Sequence, residues 1–237
     1  MPDLLILRPQ PGADATAARA REMGLDARIA PLFAVLPLDW EPPDPAEVEA
    51  TLITSGNAAR NAGPAIESFI DLPCYTVGEA TAAAAREAGF TQVKTGPSDG
   101  AALLELAAAD GVTRALHLCG RDRLIMAHSQ LELVQRAVYA AEAASSLPPE
   151  AAEAVGEGAL ALIHSPRAGE TFAALVDAAG LERRTIAIAA ISPAALAAAG
   201  GGWELADSAP APRDEALLEL AAKLCQTRPR SRSGNRE

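Results

Sequence analysis

The residues best suited to chemistry in this sequence are small hydroxyl, amide and guanidinium groups placed just after short apolar runs. LITSGNA at 52–58 holds Ser55 and Asn57, and VGEAT at 77–81 ends on Thr81. LIHSPRA at 162–168 holds Ser165 and Arg167, and AAISP at 189–193 holds Ser192. Each lies where a strand would hand over to a helix. In a parallel sheet such turns collect at the carboxyl ends of the strands, where ligands bind. A helix start presents free backbone N–H groups and a partial positive charge, which suits a carboxylate or a phosphate. Ser, Thr and Asn are also ordinary helix caps. Singly, capping accounts for each of them; together they outline a cleft lined with anion-binding groups. Arg8, Arg121 and Arg167 stand beside such turns. Each can pair with a carboxylate or rest at the surface. Tyr139, one of two tyrosines, ends an apolar run next to a Pro-containing stretch. A phenol there can donate a proton or pack as an amphipathic residue in a hinge. Tyr75 lies inside an apolar run and reads as core.

Other chemistries find no support. The chain has no G-x-G-x-x-G, no G-x-x-x-x-G-K-[ST] and no H-E-x-x-H. His117, His128 and His164 lack metal-ligand spacing, and His117 and His164 read as structural residues on strands. Carboxylates fall mostly on Ala/Leu-rich helices, as a solvated face does. Cys74, Cys119 and Cys225 are odd in number and widely spaced, which fits reduced thiols in the cytosol. The N-terminus has no basic and apolar leader pattern, and no apolar run is long enough to span a bilayer. The expected location is cytoplasmic.

Short apolar runs alternating with helical stretches must position these groups. Strands are expected at Leu4–Leu7, Thr51–Thr54, Cys74–Val77, Gln92–Lys94, Ala115–Leu118, Val134–Val138, Ala159–Ile163, Thr185–Ala189 and Trp203–Ala206. Helices are expected at Asp14–Met23, Glu79–Ala88, Ala101–Ala108, Ala168–Ala178, Pro193–Ala199 and Asp214–Leu224. Strand–helix alternation predicts an α/β fold with parallel sheets covered on both faces. Leu36–Pro45 and Ala144–Pro149 read as linkers.

An internal repeat organises the rest. Ser55 and Ser165 are 110 residues apart in similar strings, Thr81 and Ser192 are 111 apart, and ALLEL at 102–106 recurs at 216–220. The last block lacks a strand–helix–strand piece that residues 1–35 supply. The expectation is therefore two flavodoxin-like lobes: a discontinuous one, 1–35 plus 145–227, and one inserted into it, 38–140. Two adjacent linkers make a two-stranded hinge, with a cleft between the lobes. Residues 228–237 carry four arginines against one glutamate, a charge of +3, and read as a disordered basic tail. The whole chain is at −11, so the remainder is at −14, which speaks against nucleic acid as a partner.

In order along the chain, LLILRP at 4–9, IAPLF at 29–33, ITSGNA at 53–58, VGEATAAAAREAGF at 77–90, CGRDRL at 119–124, the VY pair at 138–139 and HSPRAGETF at 164–172 resemble the uroporphyrinogen-III synthase family. The resemblance runs from residue 4 to the last helix near Cys225. Departures are Gly56, where the family often has Pro, and the segment 189–193, where it commonly shows Gly and a Thr-Ala pair. The resemblance implies a discontinuous first lobe. It implies the substrate hydroxymethylbilane, a linear tetrapyrrole with eight carboxylates. Loss of its hydroxyl as water leaves an azafulvene cation, the last pyrrole attacks through its substituted carbon, and a spiro intermediate reopens and recloses with that ring inverted. It further implies that Tyr139 assists hydroxyl departure, that Thr81, Ser165 and Ser192 line the cleft, and that no cofactor or metal takes part.

Two rival readings remain at this stage. One is a two-lobed small-anion binding protein without catalysis. The other is a nucleotide or sugar-phosphate enzyme of flavodoxin-like fold, against which the missing Gly-rich loop argues. No sustained exposed apolar stripe is visible, so a monomer is expected.

Overall fold

A computed structural model of the protein describes residues 3–96, 99–122 and 125–227. The basic segment 228–237 lies outside the described residues, as do Arg123 and Leu124 of the CGRDRL run. The chain forms two compact units, residues 1–34 with 143–237, and residues 35–142. It passes between them inside two strands, β3 (Phe33–Pro37) and β8 (Glu132–Ala143), which neighbour each other in one sheet.

The first unit holds a five-stranded parallel sheet in the order β2-β1-β9-β10-β11. Its strands are β1 (Leu4–Ile6), β2 (Ala27–Ile29), β9 (Leu160–Ile163), β10 (Ala187–Ala190) and β11 (Leu205–Ser208). The three central strands are apolar and buried at every position, as strands covered on both faces must be. Helices α1 (Gly12–Glu22) and α8 (Asp214–Thr227) share one cluster with the alternate strand residues Leu4, Ile6, Leu160, Leu162, Ala187 and Ala189. The intervening Leu5, Ala161, Ile163, Ile188 and Ala190 point to the opposite face and are equally buried. Helices α6 (Pro166–Ala178) and α7 (Pro193–Ala199) pack on each other. A Cβ on Gly169 would stand 2.7 Å from the Ala195 carbonyl oxygen, so only glycine permits that approach. Helix α5 (Pro149–Gly156) precedes β9.

The second unit holds a six-stranded sheet in the order β3-β8-β7-β4-β5-β6, with the pairs among the last five strands parallel. Here β4 is Ala50–Ile53, β5 Cys74–Val77, β6 Val93–Gly96 and β7 Arg114–Gly120. One face carries α2 (Gly56–Asn61) and α3 (Gly78–Glu87) over Ile53, Cys74, Leu116 and Leu118. The other carries α4 (Gly100–Ala109) over Ala50, Leu52, Tyr75 and Ala115. Tyr75 is 1% exposed, a core residue as expected.

The first sheet, numbered along its own strands, has the flavodoxin order 2-1-3-4-5. The five strands β4 to β8 of the second, numbered from β4, have the spatial order 3-2-1-4-5, with β3 added beside β8 as the sixth. The two differ by a circular shift of the chain: β4, β5, β6, β7 and β8 occupy the places of β9, β10, β11, β1 and β2.

Three segments differ from the sequence reading. Part of the Leu36–Pro45 linker is strand, because β3 runs on to Pro37 before the prolines end it. The strand expected at Val134–Val138 extends over Glu132–Ala143. Helix α5 has no counterpart among the expected helices.

Candidate functional site

Open parallel sheets bind ligands beyond the carboxyl ends of their strands, where the strand order reverses. In the first unit that point lies between β1 and β9, and in the second between β4 and β7. The elements there decide which side chains converge.

Beyond β1 and β9 a polar network has formed. The Asp214 carboxylate opens α8 and is 10% exposed. It accepts hydrogen bonds from the Thr16 hydroxyl at 2.9 Å and from Arg19 Nη1 at 2.8 Å. Arg8 Nη1 stands 3.5 Å from Asp214 and donates to Thr16 Oγ1 at 3.3 Å. His164 Nε2 lies 3.1 Å from Asp214 Oδ1. A carboxylate only accepts, so this contact selects the tautomer with its proton on Nε2. His164 Nδ1 is buried without a partner among the described residues. Burial acts to raise the Asp214 pKa, but the bonds from His164, Thr16 and Arg19 outweigh it and hold the group down at about 2. Arg8, expected to await a substrate carboxylate, is thus already beside an internal one, with a third of its side chain exposed.

The three serines sit in equivalent places. Ser55, Ser165 and Ser192 have extended backbone and are the N-caps of α2, α6 and α7. Their hydroxyl oxygens accept from Asn57 N at 3.3 Å, Ala168 N at 3.1 Å and Ala195 N at 3.2 Å. Capping uses a lone pair and leaves the hydroxyl proton free to donate to an anion. Asn57 is the second residue of α2, and its carbonyl accepts from Asn61 Nδ2 at 2.8 Å.

Thr81 does not lie in the turn after β5. Gly78 takes a φ of 70°, and α3 begins there, so Thr81 falls in the second turn of the helix and is 7% exposed. The N-cap is Val77, without a side-chain bond. Arg121, just past β7, pairs with Glu142 at 2.9 Å and Asp122 at 3.7 Å. Arg167 lays its guanidinium over the Phe33 ring, 4.8 Å from the centroid.

Tyr139 lies on β8 beside the end of β7, half-buried, with its ring against Gly120. Its hydroxyl has no hydrogen-bond partner among the described residues, while its carbonyl accepts from Arg121 N at 2.8 Å. Nearby, Thr54 Oγ1 stands 3.3 Å from His117 Nε2. No cluster of metal-binding side chains occurs among the described residues, and no helix among them is long and apolar enough to cross a membrane.

Sequence reasoning missed Asp214, Thr16, Arg19 and Gly120. HSPRAGETF at 164–172 gave a signal for His164, since it precedes a capping serine. Nothing local marked Asp214, whose partners Thr16 and His164 are 198 and 50 residues away.

A family model described as uroporphyrinogen-III synthase HemD matches residues 14–219. No curated protein matches the chain. Among solved structures, the uroporphyrinogen-III synthetase of Helicobacter pylori 26695 is similar with a TM-score of 0.64 at 17% identity, covering 94% of this chain and all of that one. A mutant uroporphyrinogen III synthase from the extremely thermophilic bacterium Thermus thermophilus overlays with a TM-score of 0.47 at 16% identity, over 94% and 99% of the two chains.

Proposed function

The chain belongs to the uroporphyrinogen-III synthase family, cyclising lyases of tetrapyrrole biosynthesis, and from that premise we propose the part each residue plays in closing hydroxymethylbilane with inversion of its last ring. The Tyr139 phenol donates a proton to the departing hydroxyl as the C–O bond breaks, so that water leaves and the azafulvene cation forms. The hydroxyl of this half-buried residue, without a partner among the described residues, is the observation that carries this role. Ser55 and Asn57 of the second unit, with Ser165 and Ser192 of the first, donate to the carboxylates of the bilane. Arg8, Arg121 and Arg167 supply charge, Arg8 and Arg121 by sharing or exchanging the carboxylates they now face. Thr81, in the second turn of α3, is the further substrate-binding residue of the second unit. Many weak contacts hold a flexible polycarboxylate in one pose, and the gain is one of proximity.

We assign the enzyme to the cytoplasm and to a monomeric state with a small-molecule substrate and no nucleic-acid partner, in keeping with its −11 charge. The alternative of an anion-binding protein without catalysis gains nothing from the family match.

Tyr139→Phe tests the acid role. Turnover should fall ~10-fold or more, as loss of a general acid does, while KM changes little. A variant with the wild-type rate and wild-type isomer ratio would make Tyr139 a packing residue.

A further inference from the structure

Tyr139 reaches its position through a break in the strand ladder, and one glycine makes room for it. β7 and β8 pair in step from Arg114 with Glu132 to Cys119 with Ala137, then shift so that Gly120 stands beside Tyr139. The extra residue is Val138. In an unbroken strand, consecutive side chains take opposite faces. Here Val138 and Tyr139 both pack against the cluster that contains Leu116 and Leu118. The bulge has turned the tyrosine onto that face, as bulges re-aim side chains elsewhere. Gly120 is two residues beyond Leu118 and belongs to the same face.

A Cβ on Gly120 would stand 2.8 Å from Tyr139 Cζ, 3.0 Å from Oη and 3.1 Å from Cε2. These are the atoms at the proton-bearing end of the ring. Gly120 is not among the glycines with positive φ. Its backbone would accept alanine, so the ring, and not the chain path, demands glycine. The Arg121 N–H bond to the Tyr139 carbonyl fixes the register just beyond the bulge.

We infer that Gly120 is a positioning residue for the Tyr139 hydroxyl: its missing side chain and the bulge at Val138 together set where the phenol is presented. The inference rests on the proposed acid role of Tyr139. A methyl at 120 must push the hydroxyl end aside, and a displacement of about 1 Å at a reacting group costs on the order of 100-fold in rate.

The experiment compares Gly120→Ala, Tyr139→Phe and their double variant with the wild type. Gly156→Ala is the control, since nothing lies within 4 Å of an added Cβ there. Gly120→Ala should lose ~10-fold or more in kcat with KM nearly unchanged, and the double variant should be no slower than Tyr139→Phe alone. Wild-type kcat in Gly120→Ala, or losses that multiply in the double variant, would overturn the inference. A readout without turnover separates its failure from that of the acid role. In protein labelled with 13C at tyrosine Cζ, Tyr75→Phe and Tyr139→Phe assign the two resonances. Gly120→Ala should shift the Tyr139 signal and leave that of Tyr75 in place; an unmoved Tyr139 signal overturns the positioning role. Wild-type turnover in Tyr139→Phe beside a shifted signal would instead remove the acid role. Should Gly120→Ala fail to fold, Gly120→Ala/Tyr139→Ala decides the matter. Recovery of folding would show that the ring alone excludes a side chain, and continued failure would contradict it.

Discussion

Replacing Asp214 with asparagine keeps the size of the side chain and removes its charge from a network of four donors. In the folded protein the carboxyl titrates at about 2 against an ordinary 3.8, which corresponds to about 2 kcal/mol of stability at pH 7. Folding depresses this pKa, so the contribution is complete above the unfolded value and is lost as pH falls through the folded one. At pH 3, between the two, about half should remain. Arg8, Arg19 and His164 face the carboxylate, and Glu215 draws on Arg19 at 3.4 Å. The difference between wild type and variant isolates Asp214 from their own effects. Urea denaturation followed by tryptophan fluorescence reads it. Trp203 stacks on Phe172 at 5.6 Å in the first unit, and a Trp40→Phe background makes it the sole reporter. Asp214→Asn should cost about 2 kcal/mol at pH 7 and about half that at pH 3. Equal stabilities at pH 7, or a gap that does not narrow on acidification, would refute the claim that the charge of Asp214 holds this corner together.

Three further outcomes are expected. Gly169→Ala drives a methyl into the α7 backbone, with Ala195 O at 2.7 Å and Ala199 N at 2.9 Å, and should cost about 1–3 kcal/mol in chemical denaturation. Ser165→Ala should lose about 1 kcal/mol with its cap, whereas Ser165→Asp should keep the cap and raise KM by repelling the polycarboxylate; stability and kinetics measured on both variants separate the two roles of the hydroxyl. Burial pushes the Cys74 thiol up to about 12, so it should resist a thiol reagent at pH 8 until the protein unfolds, while half-buried Cys225 reacts first, as mass spectrometry of the modified peptides will show.

The strand–helix alternation was legible because the central strands are short runs of mostly apolar residues, wholly apolar in the first sheet, and turn signals bound them. Ser55, Ser165 and Ser192 could be placed at helix starts because a small hydroxyl after an apolar run marks a cap. The same logic misplaced Thr81. Gly78 turns directly from strand into helix, so α3 begins four residues earlier than a cap at Thr81 requires. β3 was lost because its apolar run FAVLP ends in Pro37 and leads into further prolines, so its second half read as linker, whereas an edge strand with only β8 beside it tolerates a proline. α5 was lost because Pro149 reads as a breaker when it is a permitted first helical residue. The Asp214 network and the bulge beneath Tyr139 depend on which distant segments pair, and no local pattern encodes either.

The most direct measurement is of the products. Hydroxymethylbilane generated in situ closes without help to the uninverted type I isomer. With the purified protein present, oxidation and separation of the porphyrins should show mostly type III. Type I alone, from protein shown to be folded, would contradict the synthase assignment and every residue role built on it.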